Sequence, residues 1–218
     1  MPESHTDRDD WPVSPPPPWP ASVHATLWWH RSTPDAAQFG PGGRTLPFTL
    51  AMMVDYVESP VGPYREILAS PVLRPGLVPA MAVPFIAVDS EPSVHGGRTH
   101  WHLPKVLAEF GGDVTGTFTA TGDAWKVTTA ASPKGPELPI AGGLTFGQPV
   151  EGGGLLRATA KLRGRFRYAR VDVQATGPSL GRWLRPGNHH GIVVTSGRMI
   201  TGPGRWNPAE RMSTKPPA

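Results

Sequence analysis

Twenty-eight prolines and 26 glycines occupy about a quarter of the 218 residues, and breakers at that density leave room only for short elements joined by many turns. Such a fraction lies at the edge of the low-complexity range. The apolar content moves the chain back from that edge: 38% of residues are AVILMFWYC, and with glycine included the value is close to the ~45–50% of ordinary folded domains. The sequence therefore reads as a turn-rich globular protein, long enough to bury a real core. No run approaches the ~20 apolar residues of a membrane span, and the first thirty residues lack the pattern of a signal peptide, so a soluble, cytoplasmic protein is expected. There is no cysteine, which removes disulfides, thiolate nucleophiles, Cys-ligated zinc and iron–sulfur clusters. Catalysis, if present, falls to His, Lys, a carboxylate or a hydroxyl.

Residues 1–20 combine charge with the run Pro15 to Pro18 and read as a disordered polyproline arm. The last dozen residues, 207–218, read as a flexible tail. Residues 21–206 between them contain neither repeat nor linker and are taken as a single domain. Its dominant period is two. Phe48 to Val57, Met81 to Val88, Val114 to Thr121, Ala124 to Thr129, Leu155 to Leu162, Phe166 to Val173 and Gly191 to Ile200 are short, rich in β-branched and aromatic residues, and bounded by Gly or Pro, the signature of strands. One or two short helices are expected. Thr33 to Phe39 has a capping hydroxyl, a proline at the first helical position and an early acid; Pro104 to Phe110 begins with proline and runs into Gly111-Gly112. The fold class is mainly β (α+β), with antiparallel strands in a closed or nearly closed barrel.

The densest chemistry lies between Val83 and Ala108. A buried strand leaves through the acidic turn Asp89-Ser90-Glu91, passes a Gly96-Gly97 bend, and reaches Lys105 after Pro104. With only five lysines against 16 arginines in the chain, each lysine merits individual attention. A lysine at a helix N-terminus among Trp101, Leu103, Val106 and Leu107 meets an adverse macrodipole and partial desolvation. Both disfavour the ammonium form, and a neutral amine is what attacks a ketone carbonyl.

Asp89-Ser90-Glu91, Gly97-Arg98 and Pro104-Lys105, with the preceding Val83-Pro84-Phe85, resemble the core signature of the acetoacetate decarboxylase family. Upstream, Gly62-Pro63-Tyr64-Arg65-Glu66 resembles the family's segment carrying an active-site glutamate. The resemblance implies a barrel-like β fold with an apolar pocket. It implies Lys105 as the nucleophile that forms a Schiff base with a β-keto acid or a related keto or enone substrate, Glu66 positioning substrate or moving a proton, and no metal or organic cofactor. Two departures stand out. The family's second lysine, which activates the first by charge repulsion, is Val106 here, and a second carboxylate around Leu50 to Met53 is replaced by apolar residues. Met52, Met53 and Trp101 are expected to shape an apolar pocket suited to a bulkier keto acid or enone. Arg98 is expected either to tie the acidic turn to the Lys105 segment or to hold a substrate carboxylate. Aldol or dehydration chemistry through the same imine and a non-catalytic binding module are the alternatives.

The other clusters point less far. His100 and His102 would share one face of an extended segment, but no third ligand follows at metal-site spacing, so no metal is expected. Arg157, Lys161, Arg163, Arg165 and Arg167 alternate along one strand face without interleaved exposed aromatics. A solvated face, or one that contacts another subunit of a homo-oligomer, fits this better than nucleic acid. A small-molecule keto acid is the expected partner, with neither nucleic acid nor membrane.

Overall fold

The computed structural model describes residues 13–39, 45–73, 80–150, 154–179 and 181–207. In chain order the elements are β1 (Trp19–Arg31), α1 (Pro34–Gln38), β2 (Thr45–Glu58), β3 (Tyr64–Leu73), β4 (Ala80–Met81), β5 (Phe85–Val88) and α2 (Glu91–Trp101). They continue with β6 (Lys105–Leu107), β7 (Glu109–Gly112), β8 (Thr117–Gly122), β9 (Trp125–Pro149), β10 (Leu155–Thr176), β11 (Gly187–Thr201) and β12 (Arg205–Asn207). No described helix is long and apolar enough to cross a membrane.

The strands form one sheet that bonds back onto itself. Its order runs β10-β11-β1-β2-β3-β4-β9, and β9 pairs with β10 to complete the ring. The link between β4 and β9 is narrow, a parallel bridge of Met81 with Phe146; all other ring contacts are antiparallel. Closure leaves few bare edges to template unwanted pairing. β5 adds to β3, and the short β6 runs parallel to β5.

Alternation divides the sheet into two differently used faces. On β2 and β3, Ala51, Met53, Ile67 and Ala69 join a cluster with Trp28, Phe118, Val127 and Val171. Met52, Val54, Tyr56, Tyr64 and Leu68 point the other way, toward α2, and pack in two further clusters with Val94 and Trp101 of that helix. The first face is a dry core. The second is where the polar chemistry sits.

Several expectations change in the structure. The helix lies at Glu91–Trp101 rather than at Pro104 to Phe110, where the chain instead forms β6 and β7. Ser90 caps it, its Oγ accepting from the Ser93 backbone N–H, and Pro92 sits in the first turn. The Gly96-Gly97 pair, expected as a bend, lies inside α2 because both positions are pressed by neighbours. A Cβ on Gly96 would fall 2.4 Å from the Trp19 ring and one on Gly97 2.5 Å from Lys105 Cδ. The first helix stands as expected, Thr33 Oγ1 accepting from the Ala36 N–H.

Two strands are longer than the breakers suggested. β9 runs through Pro133, Pro136 and Pro139, which is tolerated because residues 134–139 are exposed, so water meets the backbone groups that proline leaves unpaired. β10 is continuous across the expected Leu162/Phe166 break, its register against β11 shifting between Arg165 and Phe166. Within the expected arm, Ser14 and Trp19 are buried: Ser14 Oγ lies 2.9 Å from His95 Nδ1, Trp19 Nε1 donates to the Pro15 carbonyl at 2.8 Å, and Trp19 begins β1. Residues 1–12 of the arm and 208–218 of the tail lie outside the described residues.

Phe118 is buried in the first cluster. Phe118→Ala is expected to lower stability by about 3–5 kcal/mol, seen as a lower urea midpoint with unchanged slope; an unaltered midpoint would contradict this assignment of the core.

Candidate active site

A cavity of about 120 Å³ opens between the α2 face of the sheet and the helix, walled by Trp19, Met52, Leu68, Ile86, Trp101 and Phe146 among others. Lys105 and Glu66 line it. Lys105 Nζ donates to Glu66 Oε2 at 2.8 Å and to Ser93 Oγ at 2.9 Å. The Lys105 and Glu66 side chains are 3% and 5% exposed, so this ion pair is shielded from the screening that makes surface pairs weak. The second carboxylate oxygen, Oε1, accepts from the Tyr56 hydroxyl at 3.1 Å. Tyr64 stacks on Tyr56 at 4.1 Å between ring centroids and lies 5.2 Å beneath the Lys105 ammonium, a cation–π contact.

Each placement follows from a local rule. Tyr64, Glu66 and Leu68 alternate along β3 and so share the cavity face. Ser93, Gly97 and Trp101 recur every four residues along α2 and form the stripe turned toward it. Gly97 is the position over which the lysine stem lies, and Arg98 fixes the other end of that stem: its Nε and Nη2 both donate to the Lys105 carbonyl, at 3.0 and 2.7 Å. Asp89, in the turn before α2, holds the Arg65 side chain at 2.7 Å and accepts from the Arg65 backbone N–H at 2.6 Å. This locks the strand that carries Glu66 against the helix start.

Burial, and then the Glu66 charge, push the phenols of Tyr56 and Tyr64 well above the usual tyrosine value. Both therefore remain neutral proton donors beside the carboxylate at ordinary pH.

The structure brings Lys105, Glu66, Met52 and Trp101 to one cavity, as the sequence reading placed them. Met53 does not belong there. As the neighbour of Met52 on a strand it points to the opposite face, where it is fully buried and accepts from Thr129 Oγ1 at 3.2 Å. Arg98 is likewise no part of the lining; its Nε and Nη2 donate to the Lys105 carbonyl. The expected helix start at Lys105 is also corrected. Lys105 opens β6 after the left-handed cap at His102, φ 53°, so burial and not a helix N-terminus sets its surroundings. Val106, on the alternate face, packs against the first core cluster. His100 lies on α2 and His102 caps it, so they do not share a strand face, and no group of three His, Cys, Asp or Glu suited to a metal occurs among the described residues.

Tyr56, Tyr64 and Ser93 were missed. Tyr64 was readable as the residue two before Glu66 on a strand. Ser93 could be found only once the helix was placed four residues before Gly97.

Glu66→Leu is expected to cost about 3–5 kcal/mol by leaving a buried cation without its counter-charge. Adding Lys105→Met should restore most of that loss in chemical denaturation; losses that simply add would show that the pair is not coupled. For the tyrosines the raised folded value means that stability is full below pH about 10, the ordinary phenol value, and falls as pH rises above it while the unfolded chain ionises first. Absorbance titration at 295 nm of Tyr56→Phe/Tyr64→Phe against the parent should show the same tyrosinate signal through the ordinary phenol range. A smaller signal in the variant there would contradict the burial argument.

No family model matches the sequence, and no curated protein matches it. Solved structures do. "Structural Studies of Acetoacetate Decarboxylase" describes a protein 14% identical with a TM-score of 0.69, over 94% of this chain and 93% of that one. Acetoacetate decarboxylase from Legionella pneumophila is 12% identical, with a TM-score of 0.61, over 90% and 89%. The enduracididine biosynthesis enzyme MppR, complexed with the condensation product of pyruvate and imidazole 4-carboxaldehyde, is 16% identical with a TM-score of 0.58 over 92% of both chains. At these identities it is the architecture that is shared, over nearly the whole length of both partners, and the chain has the acetoacetate decarboxylase-like fold.

Proposed function

We propose that the protein is an imine-forming enzyme with the acetoacetate decarboxylase-like fold, with Lys105 as the nucleophile. The observation that carries this reading is the Lys105 amine, buried in an apolar cavity and held at 2.8 Å from a carboxylate able to take its proton. Removing that proton to Glu66 frees the nitrogen lone pair, which attacks a substrate carbonyl carbon. The carbonyl oxygen then collects two protons and departs as water, leaving a protonated imine on Nζ. Glu66 is placed to return one proton, with Tyr56 on its other oxygen as donor.

The protonated imine is an electron sink. A bond to the neighbouring carbon can break with its electron pair flowing to nitrogen, giving an enamine. In a β-keto acid the bond to the carboxylate breaks and carbon dioxide leaves. In other carbonyl compounds a C–H bond breaks, and the enamine can add to a second carbonyl, in line with the condensation product held by MppR. Gly97 and Arg98 act as positioning residues, the first by leaving room for the lysine stem and the second by anchoring its carbonyl. The absence of a second lysine at Val106 leaves burial and the Glu66 partner as the factors that control the amine.

Incubation with a panel of acetoacetate, acetopyruvate and uncharged ketones, followed by borohydride reduction and peptide mapping, is expected to place added mass on Lys105 and not on Lys126, Lys134 or Lys161. Lys105→Met should reduce the label to background. Gly97→Ala, which crowds the lysine stem, should lower the labelling rate at least tenfold while Lys105 is still present. Label confined to other lysines, or retained in Lys105→Met, would overturn the reading.

A further inference from the structure

Among the described residues, the cavity lining offers a carboxylate substrate no free counter-charge. Thirteen of its 19 lining residues are apolar, so the few polar groups decide what can be recognised. Among the described residues that line it, Lys105 is the one cation, and its charge is already met by Glu66 at 2.8 Å. Glu66 itself adds a negative charge on the cavity side, which repels a second carboxylate. The two tyrosine hydroxyls are also committed: Tyr56 donates to Glu66 Oε1, and Tyr64 is engaged with Ser93 and Tyr56. Arg98, the cation nearest in sequence, spends two donors on the Lys105 carbonyl. Arg65 is drawn to Asp89. The lining also includes Ser59, Leu144, Ala160, Met199 and Thr201, none of them basic.

We infer that the cavity takes an uncharged carbonyl compound, an aliphatic or aryl ketone or aldehyde, in preference to a keto acid. This rests on Lys105 being the imine-forming amine, and it names the substrate class of that same site. A charged group moved into an apolar, water-poor cavity loses its hydration and regains nothing unless a partner waits there. An alkyl or aryl chain gains by the same burial against Met52, Leu68, Trp101 and Phe146.

The class of substrate decides the reaction. An uncharged ketone has no carboxylate to lose, so the protonated imine at Lys105 is resolved through an α C–H bond. The proton passes to the Glu66 carboxylate, the C–H electron pair becomes the enamine double bond, and the former C=N pair moves to nitrogen. Return of a proton to carbon and addition of water to the imine regenerate ketone and free lysine, with no other reactant consumed. In heavy water this cycle exchanges the α-hydrogens of the ketone for deuterium.

The test uses the full chain and three probes: 2-heptanone; 6-oxoheptanoate, which is the same chain ended by a carboxylate; and acetoacetate. Half-maximal borohydride labelling of Lys105 should need at least tenfold less 2-heptanone than either acid. Its α-hydrogens should exchange in heavy water, followed by proton NMR, at a rate that Lys105→Met and Glu66→Gln reduce to background. Labelling of Lys105 at equal or lower concentrations of an acid overturns the uncharged class while leaving the imine chemistry intact. If no probe labels Lys105, the imine reading fails, and calorimetric titration of the same three compounds decides the rest. Tighter binding of 2-heptanone than of 6-oxoheptanoate keeps the uncharged cavity, and equal, reversed or undetected binding removes it.

Discussion

A lysine and a carboxylate removed from water must find each other, and that requirement organises this protein around Lys105 and Glu66. Neither side chain is tolerable alone at 3–5% exposure, since an unpaired buried charge costs several kcal/mol. The pair is therefore held from several sides. Ser93 adds a second acceptor for the amine, Tyr56 a donor for the carboxylate, and Tyr64 an aromatic face below the cation. An arrangement this costly to assemble is weak evidence for stability, because apolar replacements of equal volume often do as well. Under the proposed function it is an amine kept near its proton acceptor, in a place where a carbonyl carbon can reach it.

The scaffold separates two jobs that would otherwise conflict. Strand alternation sends Met53, Ile67 and Val106 into a dry core on one side, and Met52, Glu66 and Lys105 into the cavity on the other. Packing that stabilises the sheet is thus independent of the polar groups one residue away. The helix α2 covers the polar side, and its two glycines let it approach closely: Trp19 rests on Gly96 and the Lys105 stem on Gly97. Each glycine weakens an isolated helix by about 1 kcal/mol relative to alanine. Here the loss is offset by contacts that any Cβ would block.

Period two made the strands legible in the sequence, and closure into a ring followed from their number, because repeated short strands with one buried face have few other ways to hide their edges. Lys105 and Glu66 were legible through flanking residues that resemble a known signature. The helix was not. Gly96-Gly97 reads locally as a bend, and only the Trp19 ring, distant in sequence, and the Lys105 stem, brought back over the helix by the fold, explain why glycine is there. Tyr56 and Tyr64 were hidden for a similar reason: tyrosines on half-buried strands are common, and their stacking depends on the register of β2 against β3, where Tyr56 and Tyr64 are partners. The proline-bearing length of β9 was equally unreadable, since its exposure depends on where β10 leads it.

The measurement that bears most directly on this account is the crystal structure of the borohydride-reduced adduct with a small ketone. The account predicts continuous density from Lys105 Nζ into the cavity, the alkyl chain lying against Trp101 and Met52, and Glu66 still within hydrogen-bonding distance of the nitrogen. An unmodified Lys105 with the adduct on a surface lysine, or a ligand in the cavity that leaves the amine untouched, would contradict it.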